Sequence, residues 1–131
     1  MLPPTFEHFV GHAFEEAARE YVARLARRGA LPFLPERIGK WWDRQAEIDL
    51  VAISDSEGAL LVGECKWSVN PVGTDVLDDL KRKVQVLNAS GKWQQVYYAL
   101  FARAGFTLAL QETARSEDVR LVEPPELVGT D

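Results

Sequence analysis

The stretch that most constrains this chain is a pair of apolar segments, residues 46–53 and 59–67, separated by Asp55-Ser56-Glu57-Gly58. Both are strand-like, and the polar, glycine-containing stretch between them predicts an antiparallel hairpin. With the turn centred between Ser56 and Glu57, Asp49 stands opposite Glu64 and Glu47 opposite Lys66. Side chains alternate along a strand, so all four share one face with Val51, Ile53, Leu60 and Val62. The other face carries Ala46, Ile48, Leu50, Ala52, Leu61, Gly63, Cys65 and Trp67, none of them charged. A hairpin this apolar on both faces must be covered on both, which points to a layered α/β fold.

The flanking sequence supplies the covers. Residues 5–28 place Phe6, Phe9, Val10, Phe14, Ala17, Tyr21 and Leu25 at helical spacing, with Thr5 as a cap and Gly29 as a stop. Ile38–Trp42 predicts a first strand. Thr74 to about Asn88 predicts a second helix, capped at Thr74-Asp75. Trp93–Phe101 predicts a fourth strand, Phe106–Ser116 a third helix and Arg120–Glu123 a short last strand. The order αβββαβαβ implies a mixed sheet with helices on both faces.

A length of 131 residues suits a single domain, with its core over about 5–123. No apolar run reaches the roughly 20 residues that cross a bilayer, and Met1-Leu2-Pro3-Pro4 lacks the pattern of a secretory signal. The expectation is a cytoplasmic protein with no membrane partner. The single cysteine, Cys65, makes neither a disulfide nor a zinc site by itself. A formal net charge of −5 weighs against duplex binding over the whole surface, but leaves local basic clusters at Arg24, Arg27 and Arg28 and at Lys81, Arg82 and Lys83.

Two acids side by side on a sheet covered on both faces repel each other and are costly to desolvate unless a cation neutralises them. Oxygen ligands without histidine or thiolate favour Mg2+ or Mn2+. Lys66, two residues after Glu64, would reach the same pocket, where a lysine can orient an attacking water and offset charge growing on a phosphate. These are the parts needed to hydrolyse a phosphodiester.

Asp49, fourteen intervening residues, and then Glu64-Cys65-Lys66 on a hairpin that follows a helix resemble the PD-(D/E)XK nuclease signature. The resemblance implies a restriction-endonuclease-like core, with Asp49, Glu64 and the Cys65 backbone carbonyl as metal ligands and Lys66 as a catalytic residue. Gly11-His12-Ala13-Phe14-Glu15 is similar to a first-helix pattern of the same superfamily, which makes Glu15 a further catalytic and metal-supporting residue. Ile48 stands where the signature has proline.

More narrowly, Ala46–Ala52, Gly63–Trp67 and Phe101-Ala102-Arg103-Ala104-Gly105-Phe106 resemble a domain of unknown function usually found at the C-terminal end of archaeal and bacterial DEXX-box ATPases of the AAA type. This chain contains no Gly-x-x-x-x-Gly-Lys-Ser/Thr loop, so it is read as a stand-alone version or an excised domain. The resemblance implies a metal-dependent nuclease acting on nucleic acid, DNA first. The alternative is a non-catalytic domain that regulates or positions an ATPase partner. Junction-cutting relatives are dimers, which leaves a homodimer open.

Simpler roles compete at several positions. Glu47 serves as a partner for Lys66 or a solvated strand end, and Glu15 as an exposed helical acid. His8 and His12, one turn apart, lack the His-Glu-x-x-His arrangement of a zinc site. Trp41, Trp42, Trp67 and Trp93 fit a core as well as base stacking. Lys81, Arg82 and Lys83 fit a solvated helix face as well as phosphate contacts, and Cys65 fits a buried, inert side chain.

Overall fold

The structure, a computed structural model, describes residues 4–127, with side chains described from Val10 onward. The first helix already includes Pro4, so Thr5 lies inside it and does not cap it; its side chain and those of Phe6, His8 and Phe9 lie outside the described residues. The elements are α1 (Pro4–Arg27), β1 (Arg37–Trp42), β2 (Glu47–Ser54), β3 (Ala59–Lys66), α2 (Thr74–Leu87), β4 (Gln95–Ala102), α3 (Leu108–Glu117), β5 (Arg120–Val122) and a short α4 (Pro124–Leu127). Their order is the expected one, with α4 added where Pro124 and Pro125 suit a helix start.

The five strands form one sheet in sequence order. β1, β2 and β3 are an antiparallel meander, while β4 and β5 are parallel to β3 and reached through the crossovers α2 and α3. The sheet is therefore mixed. Leu50↔Gly63, Val51↔Val62 and Ala52↔Leu61 keep the register set by a turn centred between Ser56 and Glu57. Gly58 closes that turn at φ +63°, a left-handed conformation that favours glycine.

Two cores lie on the two faces. Phe14, Ala18, Val22 and Leu25 of α1 pack on Leu50, Ala52, Leu61, Ala99 and Phe101. Leu77, Leu80 and Val84 of α2 and Leu110 and Ala114 of α3 pack on Val51, Leu60, Val62 and Leu100. The double cover removes β3 from water almost entirely, so the apolar run in its sequence follows from its central place.

Two helix starts differ from expectation. Gly73, not Thr74, caps α2, without a side-chain hydrogen bond, because the chain enters the helix one residue earlier. α3 begins at Leu108, with Thr107 accepting a hydrogen bond from the Leu110 amide.

Gly63 of β3 is closely packed by the strands on either side of it. A Cβ there would lie 3.1 Å from the Phe101 ring, 3.2 Å from the Ala99 carbonyl oxygen and 3.3 Å from the Leu50 Cβ. Overpacking costs about 1–3 kcal/mol, against at most about 1 kcal/mol gained by restricting the unfolded chain. Gly63→Ala is therefore expected to lower the urea midpoint, and an unchanged or raised midpoint would show that Phe101 moves aside freely.

Candidate functional site

The site is built where the sheet stops being regular. Gly39 pairs with Val51 and Trp41 with Ile48, so Asp49 and Leu50 together stand opposite the single residue Lys40. This is a β-bulge in β2, and it resets the alternation of faces. Leu50 packs under α1, whereas Ile48, fully buried, joins the α2/α3 core. Regular alternation would have put Ile48 with Leu50. The shared face expected for Glu47, Asp49, Glu64 and Lys66 is not kept, for the same reason.

A bulge interrupts the ladder, and the freed Asp49 carbonyl accepts a hydrogen bond from Arg19 Nη1 of α1 at 2.9 Å. On the other side of β2 the described pairing with β3 ends at Leu50↔Gly63. Beyond it the Cys65 amide donates to Asp49 Oδ2 at 2.9 Å. The Asp49 side chain thus occupies the fork between the two strands, oriented by the backbone of β3.

Carboxylates approach this fork from both layers. Glu15 comes from α1, with Oε1 buried and without a hydrogen bond, 3.7 Å from Lys40 Nζ and 3.8 Å from His12 Nδ1. Burial, and then repulsion from Asp49, raise its pKa. Glu64 is only 4% exposed and accepts a hydrogen bond from Lys83 Nζ of α2 at 3.3 Å. Desolvation and the Asp49 charge outweigh that lysine and push the Glu64 carboxyl up to about 7.

The remaining expected residues fall at the rim. Lys66 is exposed at the end of β3, and its carbonyl accepts from the Arg103 amide at 3.0 Å. Glu47 does not pair with Lys66: the bulge puts it beside Lys40, which forms its ion pair. The Cys65 side chain packs against the α1-side core, and burial pushes its thiol pKa up. The oxygen donors at hand are those of Glu15, Asp49 and Glu64 and the nearby backbone. Among the described residues, no three His, Cys, Asp or Glu side chains come together as a metal cage.

Residues 2–96 match the family model DUF234, described as archaeal and bacterial proteins of unknown function. This chain belongs to that family. The match takes in the whole meander and α2, hence Glu15, Asp49, Glu64, Lys66 and Lys83, and stops before the Phe101–Phe106 segment. Within the DUF234 chain, 62 residues are 39% identical to an uncharacterized protein, MJECL04, of Methanocaldococcus jannaschii, covering 47% of this chain and 14% of that one. The likeness thus spans a small part of a much longer relative.

Among solved structures, a repair endonuclease from Pyrococcus abyssi superposes with a TM-score of 0.56 at 16% identity, over 84% of this chain and 46% of its own. An EndoMS–dsDNA complex gives 0.46 at 16% identity, over 80% and 43%. The first establishes a restriction-endonuclease-like fold for this DUF234 chain.

Three residues of the cluster were missed in the sequence. Lys83 carried a usable signal: it lies three residues after Leu80 and four before Leu87, on the apolar stripe of α2 and not on its solvated face. Lys81 and Arg82 do face solvent, paired with Glu117 and Asp79. Arg19 follows Glu15 by one helical turn, and so lies on the same side of α1. Nothing in the sequence marked Lys40, because its place depends on the bulge.

Proposed function

We propose that this DUF234 domain is a divalent-metal-dependent nuclease that hydrolyses phosphodiester bonds, with DNA as its first substrate. The observation that carries this reading is the nearly complete burial of Glu64 beside Asp49, with a buried Glu15 oxygen lacking a hydrogen bond. A desolvated acid beside a second acid, with an unsatisfied oxygen close by, suits a hard cation. Magnesium keeps several waters and needs only one or two protein carboxylates, which Asp49 and Glu64 would supply.

In this reading Asp49, Glu64 and the Cys65 carbonyl hold Mg2+ or Mn2+, and Glu15 supports them. When bound, such an ion polarises a phosphoryl oxygen and lowers the pKa of its water. The Cys65 amide orients Asp49, and Lys83 fixes Glu64 in place. Lys66, exposed at the strand end, reaches toward the phosphate, orients the attacking water and offsets the charge that develops. Water attacks in line at phosphorus, so no protein nucleophile is required, and the buried Cys65 thiol is not one.

A second reading has its own support. Lys83 and Lys40 already pair with acids of the cluster, and the match to MJECL04 places related sequence inside a longer chain. On that reading the domain is non-catalytic and regulates or positions an ATPase of the AAA type. Either reading admits a homodimer. No helix among the described residues is long and apolar enough to cross a membrane.

The deciding experiment is cleavage of labelled duplex, single-stranded and branched DNA with magnesium and with manganese. Wild type is expected to cleave. Lys66→Ala should lose about a hundredfold in rate, the scale of removing one transition-state donor. Arg82→Ala, on the solvated face of α2, should change little. No cleavage by wild type on any of these substrates would move the conclusion to the second reading.

A further inference from the structure

Three of the four tryptophans are spoken for. The Trp67 ring lies between Phe14, 5.0 Å between centroids, and the Arg103 guanidinium, 4.8 Å from its own. Trp93 is buried and covered by Lys92 at 4.6 Å, and Trp41 packs on the α2/α3 core. Trp42 is 68% exposed. It stands at the end of β1, where the hairpin turns toward β2.

That hairpin tip is held rigidly. The Asp43 amide donates to the Ala46 carbonyl at 2.9 Å, and Asp43 Oδ1 accepts from the Gln45 and Ala46 amides at 2.7 and 2.9 Å. Three hydrogen bonds thus satisfy five groups within the tip, so the backbone that presents Trp42 is held in place and loses little freedom on binding. Beside it lies an open groove of about 670 Å3, lined by Lys40, Trp42, Arg44 and Glu47 among others, which is large enough for a nucleotide. Arg44 is exposed and makes no hydrogen bond or ion pair among the described residues.

The groove lies next to the carboxylate fork, and Lys40 belongs to both. Trp42 pairs with Glu47, two residues from Asp49 and so about 7 Å away along β2. Lys40, in the groove wall, also faces Glu15. A strand whose phosphate lies at Asp49 and Glu64 carries a neighbouring nucleotide over this groove. Within a duplex the faces of a base are covered by its neighbours, so an indole here stacks only on an unpaired one.

We propose that the β1–β2 hairpin is a stacking platform for an unpaired nucleotide next to the cleaved linkage, with Trp42 taking the base and Arg44 the flanking phosphate. It rests on the nuclease reading above, and makes the preferred substrate single-stranded or branched nucleic acid, not continuous duplex.

The test is fluorescence anisotropy in EDTA, so that binding is read without cleavage, using a labelled 20-nucleotide oligothymidine and a 20-base-pair blunt duplex. Trp42→Ala is expected to weaken single-strand binding about tenfold or more, the scale of one lost base–aromatic stack, and duplex binding by less than about threefold. Trp42→Phe should recover most of the loss, and both variants should melt within about 2 °C of wild type, because the side chain is exposed. In magnesium, Trp42→Ala should raise KM on single-stranded substrate and leave kcat near wild type.

Equal single-strand affinity in Trp42→Ala and wild type would overturn the platform, as would equal losses on both probes. Loss of a dimer on sedimentation without any change in binding would overturn it too, and make Trp42 a contact between copies of this chain. Binding that depends on Trp42 in a protein that cleaves nothing would uphold the platform and refute the nuclease reading. Cleavage indifferent to Trp42 would do the reverse.

Discussion

Asp49→Asn is expected to leave the fold intact and reduce magnesium-dependent cleavage by about a thousandfold or more, a loss of roughly 4 kcal/mol of transition-state stabilisation. Asparagine is the informative choice, because its side-chain oxygen can still accept the Cys65 amide bond, whereas alanine would leave that amide without its partner. The substitution removes the charge and keeps the fork. A thermal melt with and without magnesium provides the control. A ligand that binds only the native state raises its stability, so wild type should gain and Asp49→Asn should gain little. Equal cleavage by the two proteins would remove Asp49 from the chemistry, and equal gains in the melt would place the ion elsewhere.

The second large effect is a loss of stability as pH rises, measured without divalent metal. Glu64 titrates near 7 in the folded chain, against an ordinary value of 4.5. The native state therefore holds this proton more tightly than the unfolded chain does. Its contribution is fully present below pH 4.5 and is lost as pH rises through 7. At 1.36 kcal/mol per unit the loss is about 3 kcal/mol, and the side chain is too deeply buried for solvent to screen it much. Glu15, also raised, acts in the same direction. Urea unfolding from pH 4.5 to 8 should show the decline, Glu64→Gln should flatten it, and magnesium should offset it above pH 7. A wild-type profile that rises over this range would mean that Lys83 holds the Glu64 carboxylate more strongly than burial and Asp49 oppose it.

Much of the architecture was readable because periodicity reports burial. The apolar runs on either side of Asp55–Gly58, with the turn centred between Ser56 and Glu57, gave the hairpin and its register from Leu50↔Gly63 to Ser54↔Ala59. The stripe Leu77, Leu80, Val84 gave α2 and the face it buries. Asp49, Glu64 and Glu15 could be brought to one end of the sheet on these grounds and on the superfamily resemblance. What was not legible was the bulge. Two residues opposing one leave no compositional trace, so the pairing of Glu47 with Lys40, the move of Ile48 to the other core and the support of the Asp49 carbonyl by Arg19 could not be read by counting positions. The Lys83 contact was legible in principle, since a lysine on an apolar stripe must send its ammonium to a buried acid or to the edge of the layer.

The bulge also makes chain length in this region a matter of phase. Deleting one residue at Asp49-Leu50 would restore strict alternation and, like a frameshift, send every side chain back to Glu47 to the opposite face, drawing Ile48 out of the α2/α3 core. A residue added to β1 opposite the bulge would have the same effect. The exposed tip at Asp43-Arg44-Gln45, only a few residues away, lies beyond the paired strands and carries no such frame. Insertions and deletions should therefore be tolerated at the tip and excluded in the paired strands on either side of it, Lys40–Trp42 and Glu47–Leu50, so that the reach of the hairpin can vary while the acids behind it stay in register.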